Sequence, residues 1–286
     1  MRLARFGPAG RERPCVLLAD GTRVDCSGFG LDWGEWFFES DGLPRLEAWL
    51  DQHAARAPRV DPGVRVGPPI ARPSKIVGLG LNYSDHAAEM GVAIPKEPVL
   101  FQKSSSALCG PEDDLPAPRG ATKLDWEVEL AVVIGRRAAN VERDRALEHV
   151  FGYTLACDYS ERAWQKERGG QFTKGKSHDG FAPLGPFLLT AGELADPQRV
   201  GLWLTVNGET RQRGSTRDMI FGVAEIVSYV SQFMTLLPGD VITTGTPAGV
   251  GLGAHPPRFL VPGDVVELGA DGLGRQRQRI VGEPAA

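Results

Sequence analysis

An acidic cluster, an isolated aspartate and one of five histidines are the first residues in this chain whose types and spacing could do chemistry. In Asp125-Trp126-Glu127-Val128-Glu129-Leu130 the carboxylates alternate with apolar side chains. On a strand, residues two apart share a face, so Asp125, Glu127 and Glu129 would line up with about 7 Å between neighbours. A solvated strand face explains that pattern as well as a cation site does. Asp158 tips the balance, because it closes the apolar run Val150–Ala156, an unusual place for a carboxylate. Three carboxylates without an adjacent Cys or His pair suit a hard ion, Mg²⁺, Mn²⁺ or Ca²⁺, and not structural zinc.

The histidine lies in Asn82-Tyr83-Ser84-Asp85-His86-Ala87-Ala88-Glu89. If Ser84 or Asp85 caps a short helix, His86 and Glu89 fall three apart on one face. A carboxylate that accepts the Nδ1 proton fixes the tautomer and leaves Nε2 to take a proton from water. A pair on a solvated helix would look the same. In Asp158-Tyr159-Ser160-Glu161-Arg162-Ala163-Trp164-Gln165, Ser160 is the expected N-cap, which places Arg162 and Gln165 on a common face. Arg162 could then grip a carboxylate and Gln165 donate to an oxyanion, although an ordinary charged helix also fits. Lys176, in Thr173-Lys174-Gly175-Lys176-Ser177, is a further candidate for anion contact that spacing does not distinguish from a surface lysine. Gly78-Leu79-Gly80 lacks the third glycine of a dinucleotide fingerprint, and Thr243–Gly251 lacks the Gly-Lys-Ser/Thr of a P-loop. Close backbone approach to a small ligand, with a threonine hydroxyl as donor, fits the second loop better.

The elements that must position these residues are mostly short strands. Apolar stretches alternate with turns rich in Gly and Pro, of which the chain has 36 and 22. Strands are predicted over Lys75–Leu79, Pro98–Gln102, Trp126–Ile134, Leu202–Asn207, Asp240–Thr244 and Asp264–Leu268. Two of them follow a Pro-Gly-Asp-Val turn, at Pro238–Val241 and Pro262–Val265, suited to type II geometry. Helices are predicted over Glu161–Arg168 and Gly222–Phe233, the latter with Val223, Ile226, Val227 and Val230 on one face. Residues 1–68 read as a small α+β module: strands at Arg13–Leu18 and Thr22–Cys26 around Asp20-Gly21, then a helix at Leu43–His53. A stretch rich in Pro, Arg and Gly separates it from residues 69–286, where all the candidate chemistry lies. The fold class expected is mixed α/β, mostly β.

A net charge of −4 with both signs dispersed argues against nucleic acid as a partner. No run of about 18 apolar residues marks a membrane span, and residues 1–21 lack the apolar core of a signal peptide. Four scattered cysteines form neither a disulfide framework nor a zinc site, so a cytoplasmic protein with reduced thiols is expected.

Taken in order, the motifs resemble one family. Asn82-Tyr83-x-x-His86-x-x-Glu89, Phe101–Ala107, Asp125-Trp126-Glu127-x-Glu129 through Gly135, Asp158-x-Ser160-x-Arg162-x-x-Gln165, Gly175-Lys176-Ser177 and Thr244-Gly245-Thr246-Pro247-x-Gly249-Val250-Gly251 look like the fumarylacetoacetate hydrolase family. The likeness runs over roughly residues 70 to 280, and around Lys176–Phe181 it is nearest the ureidoglycolate lyase and 2,4-diketo-3-deoxy-sugar-acid hydrolase branch. The resemblance implies a β-sandwich roll, usually in a homodimer, with Mg²⁺ or Mn²⁺ on Glu127, Glu129 and Asp158. It implies a lid carrying His86 and Glu89, assistance to the oxyanion or enolate from Gln165 and Lys176, and substrate contacts from Arg162, Lys103 and Thr246. Phe172, Lys174 and Gly180 depart from the commoner pattern and bear on substrate choice. The expected reaction is metal-dependent cleavage of a C–C bond in a 2,4-dioxo acid, an acylpyruvate or diketo-deoxy sugar acid, to pyruvate and a second acid. Oxaloacetate decarboxylation or tautomerisation, ureidoglycolate lysis and a non-enzymatic metal-binding role are the alternatives.

Overall fold

All seven residues of the strand Val128–Ile134 are buried, which requires a sheet covered on both faces. In the computed structural model, which describes residues 1–282, that strand lies within a nine-stranded sheet. The order is Arg23–Asp25, Arg13–Leu17, Arg2–Phe6, Leu188–Thr190, Val150–Cys157, Val128–Ile134, Val241–Thr243, Ile76–Gly80 and Val99–Lys103. A second sheet runs Glu209–Ser215, Gly201–Val206, Val265–Ala270, Gly274–Val281 and Leu115–Pro116. Strands Val128–Ile134 and Val150–Cys157 pack against the second sheet. The architecture is mixed α/β and mostly β, as expected, and neither sheet closes into a barrel. Residues 283–286, the end of the expected 69–286 unit, lie outside the described residues.

Most predicted elements are present with shifted ends. Helix Val223–Phe233 buries Val223, Ile226, Val227 and Val230. Helix Gly42–His53 buries Leu46 and half-buries Trp49 and Leu50. Both Pro-Gly-Asp-Val turns are type II: Gly239 and Gly263 have φ of 88° and 100°. Each turn's aspartate amide returns to the residue three back, Asp240 to the Leu237 carbonyl at 3.0 Å and Asp264 to that of Val261 at 3.1 Å. Strand Arg2–Phe6 pairs with Leu188–Thr190, so the strands of residues 1–68 continue the sheet of the larger part. The Pro- and Arg-rich stretch thus lies between two parts that share one sheet.

Three local expectations need correction. The predicted strand Trp126–Ile134 begins only at Val128, because Leu124–Asp125 pairs separately with Ser160–Glu161. Between them the Asp125 carboxylate accepts the Gly251 amide at 2.6 Å and the Leu252 amide at 3.0 Å, and the Val128 amide donates to Gln212 Oε1 at 2.9 Å. The helix predicted over Glu161–Arg168 spans Arg162–Lys166. Its cap is Glu161, which accepts the Trp164 amide, and not Ser160, whose hydroxyl donates to the Asp158 carbonyl. Helix Ser84–Glu89 starts from Tyr83 with no side-chain cap from either Ser84 or Asp85; Asp85 instead accepts the amides of His86 and Ala248.

Asn82 joins loops that come from distant parts of the chain. It donates to the carbonyls of Phe221 and Thr244 at 3.0 and 2.8 Å, and accepts the Phe221 amide at 2.8 Å, all fully buried. Asn82→Ala strands these backbone groups without water, and should lower unfolding stability by about 2–4 kcal/mol. Urea denaturation checks this: an unchanged midpoint would show that the loops hold each other without Asn82.

Candidate active site

The antiparallel register places the acidic residues together. Glu129 pairs with Ala156 and Val128 with Cys157, and the next pair outward is Glu127 with Asp158, whose amide donates to the Glu127 carbonyl at 2.9 Å. Glu127 and Glu129 share a face because they are two apart, and Asp158 shares it because it lies directly across. One ligand atom from each of the three buried carboxylates can lie within 4.8 Å of the others.

Charges of alternating sign surround this group. Lys176 Nζ donates to Glu127 Oε2 at 2.7 Å and to Asp158 Oδ2 at 2.6 Å. Arg162 donates from Nη2 to Glu127 Oε1 at 2.6 Å and from Nε to Asp125 Oδ2 at 2.8 Å. Lys103 Nζ holds the other oxygen of Asp158 and donates to the Tyr159 carbonyl at 3.2 Å. Glu129 differs, because its hydrogen bond comes from the Gly245 amide at 2.6 Å and no cation among the described residues pairs with it. Four carboxylates therefore face three cations, and the unmatched charge falls on Glu129.

The titration directions follow from this arrangement. Burial opposes ionisation of Glu127, yet Arg162 and Lys176 outweigh it and hold Glu127 well below the usual carboxylate range. Burial, then the charges of Asp158 and Glu127, push Glu129 well above that range. Burial also opposes the charge on Lys176, but Asp158 and Glu127 prevail and raise its pKa. A divalent cation among Glu127, Glu129 and Asp158 would supply the missing positive charge, and three hard oxygen donors fit Mg²⁺ or Mn²⁺.

Above this floor is a cavity of about 140 Å³, lined by Glu127, Glu129, Arg162, Gln165, Lys176, Thr246 and His86 along with apolar side chains. His86 is 6 % exposed, and its Nδ1 lies 3.0 Å from Glu89 Oε2, the pairing expected from their spacing. The other Glu89 oxygen accepts the Gly249 amide at 2.8 Å, which ties the helix to the glycine loop. Gln165 Oε1 accepts from Arg162 Nη1 at 3.1 Å, leaving its amide nitrogen as a donor toward the cavity. Gly175 lets helix Thr173–Lys176 press on helix Arg162–Lys166, since a Cβ there would lie 2.6 Å from the backbone nitrogen of Gln165.

Of the three residues expected to touch substrate, Arg162 and Thr246 line the cavity and Lys103 does not. Lys103 lies behind Asp158 and does not line the cavity. Arg162 lines it, but its guanidinium is taken up by Asp125, Glu127 and Gln165. Thr246 lines it too, while its hydroxyl donates to the Val128 carbonyl at 2.9 Å and accepts from Gln212 at 2.8 Å. Gln212, fully buried, links Val128, Thr246 and Pro247 beneath the floor, and nothing in its local sequence marks it.

Comparison with known proteins identifies the family. The family model described as Fumarylacetoacetate (FAA) hydrolase C-terminal matches residues 75–281. The chain belongs to the fumarylacetoacetate hydrolase family. Over 279 residues it is 51 % identical to a Burkholderia ambifaria protein whose name states no substrate, covering 97 % of this chain and 98 % of that one. The 5-carboxymethyl-2-hydroxymuconate delta-isomerase of Mycobacterium smegmatis is 33 % identical with a TM-score of 0.76, covering 100 % of both chains. The maleylpyruvate hydrolase of Sphingobium sp. SYK-6, solved with manganese(II) and pyruvate, is 30 % identical with a TM-score of 0.81, covering 99 % of this chain and 100 % of that one. Hydrolases and isomerases thus share the family fold. No helix among the described residues is long and apolar enough to cross a membrane, and all four cysteines are free.

The raised pKa of Glu129 has a measurable consequence. Below that pKa a divalent cation must displace the Glu129 proton, so apparent affinity should climb about tenfold per pH unit and level off above it. In the metal-free protein the sign reverses. Folding retains a proton that the unfolded chain releases near pH 4.5, so this group's contribution to stability falls as pH rises from there to the folded pKa. Calorimetry with Mn²⁺ at several pH values checks the first effect; Glu129→Gln should flatten the profile, and a flat wild-type profile would place the ion elsewhere.

Proposed function

We propose that this protein is a divalent-metal-dependent hydrolase that cleaves the C3–C4 bond of an acylpyruvate, giving pyruvate and a second acid. The observation that carries this reading is that His86, held by Glu89, lines the same cavity as Glu127 and Glu129. A fixed base beside a polarising floor is what addition of water to a carbonyl needs. Glu127, Glu129 and Asp158 would hold Mg²⁺ or Mn²⁺, which when bound supplies Lewis acidity to the 2-oxo acid end of the substrate.

The chain's own residues then divide the work. Glu89 accepts the Nδ1 proton of His86, so Nε2 removes a proton from water as the oxygen attacks C4. The Gln165 amide donates to the oxyanion that forms there. The C3–C4 bond breaks with its electron pair passing to C3, and Lys176, the cavity's buried ammonium, offsets the enolate charge. The proton held on His86 returns to C3, which completes pyruvate, and the new carboxylic acid ionises to solvent. The apolar wall, which includes Leu79, Val99, Phe101 and Phe172, supports an acyl tail over the polyhydroxylated tail of a diketo-deoxy sugar acid. The homodimer implied by the resemblance and the cytoplasmic setting expected from the scattered cysteines belong to the same reading, and light scattering checks the assembly.

Turnover of acetylpyruvate should cease after chelation and return with Mg²⁺ or Mn²⁺. In ¹⁸O-labelled water the label should enter the new carboxylate of acetate. Isomerisation or decarboxylation would place no label there, so label-free products from an active enzyme would reject hydrolysis. His86→Ala should lower kcat about 10²–10⁴-fold while Mn²⁺ affinity stays near the wild-type value; loss of the metal instead would make His86 a ligand.

A further inference from the structure

Three of the polar groups that line the cavity are already held by protein partners. Arg162 is held by Asp125, Glu127 and Gln165, Lys176 by Glu127 and Asp158, and the Thr246 hydroxyl by Val128 and Gln212. Lys166 also lines the cavity, and no carboxylate among the described residues pairs with it. It lies four residues beyond Arg162 on the helix Arg162–Lys166, hence on the same face and about 6 Å further along the axis. Arg162 is buried on the floor, whereas Lys166 is exposed, so Lys166 marks the mouth. The side chains of Met90, Val92, Val99 and Phe172 complete the wall there, and all are apolar.

We propose that Lys166 determines specificity by pairing with a second carboxylate at the far end of the substrate, which makes the preferred substrates dicarboxylic 2-oxo acids with an apolar spacer. This rests on the reading of the cavity as a 2-oxo acid site, with the 2-oxo end at the floor. The spacing sets the length: one helical turn between floor and mouth corresponds to a chain in which roughly four or five carbon–carbon bonds separate the 2-oxo group from the terminal carboxylate. A neutral apolar tail would cover the wall but leave the ammonium without a partner. A hydroxylated tail would give up its hydration against Met90, Val92 and Phe172, which offer no hydrogen bonds in return. Partial loss of water against the cavity wall, then the neighbouring Arg162 charge, lower the pKa of Lys166, a penalty that an anion at the mouth relieves.

The test is calorimetry on the Mn²⁺-loaded full-length protein with two series of 2-oxo acids. One series ends in a carboxylate (2-oxoglutarate, 2-oxoadipate, 2-oxopimelate), and the other ends in a methyl group at the same chain length. In the wild type, 2-oxoadipate or 2-oxopimelate should bind about tenfold tighter than its methyl-ended counterpart, the worth of one partly exposed charge-assisted hydrogen bond. Lys166→Met should abolish that ratio, and Lys166→Arg should keep it. Because the ratio is taken within each variant, a general loss of affinity does not disturb it. A ratio near one at every length in the wild type, or a ratio that survives Lys166→Met, would overturn the proposal. None of these acids has a 4-oxo group, so none can be hydrolysed. A failed ¹⁸O experiment would therefore reject the hydrolase reading while this binding ratio still stands or falls separately.

Discussion

Burial of four carboxylates with only three cations is the constraint on which the rest of this structure depends. Each charge removed from water costs several kcal/mol unless it is paired and hydrogen-bonded. Asp125, Glu127 and Asp158 meet that requirement through Arg162, Lys176 and Lys103. Glu129 meets it only in part, with one backbone amide. The arrangement is stable enough to form and is still short of one positive charge. That shortfall is set by the register of two strands and does not depend on any loop closing.

The glycine loop after Thr243 extends this constraint to the rest of the site. Its amides reach acids on three elements: Gly245 to Glu129, Ala248 to Asp85, Gly249 to Glu89, and Gly251 and Leu252 to Asp125. Nucleotide-binding loops use backbone amides to hold phosphate. Here the same kind of donor holds the protein's own carboxylates, which places His86 and the acidic floor at a fixed separation.

Much of this was legible in the sequence, and the parts that were not share a cause. Alternation in Asp125–Leu130 and the odd position of Asp158 pointed to Glu127, Glu129 and Asp158, because strand periodicity is a local property. The spacing of His86 and Glu89 was enough for their contact for the same reason. Lys103, Arg162 and Thr246 were expected at the substrate from the family resemblance, which matches residue types and not the partners that hold them. Which partner takes up a donor is decided by long-range packing: Lys103 meets Asp158 across 55 residues and Arg162 meets Asp125 across 37. Gln212 left no trace at all, since a lone glutamine on a strand looks solvated until its partners are known. The break in the strand before Val128 was hidden likewise, being caused by amides more than 120 residues away.

The cavity has two parts held in different ways, and this bears on how such a protein changes over generations. The floor is a closed web of ion pairs and amide contacts, where altering one member strands another. The wall of Met90, Val92, Val99 and Phe172 touches the floor's hydrogen bonds nowhere. A substitution there trades one apolar surface for another and leaves every buried charge with its partner. Drift in the wall is therefore nearly free of stability cost, while drift in the floor is not. A lineage built this way can sample new substrates one residue at a time without losing the reactive apparatus in between.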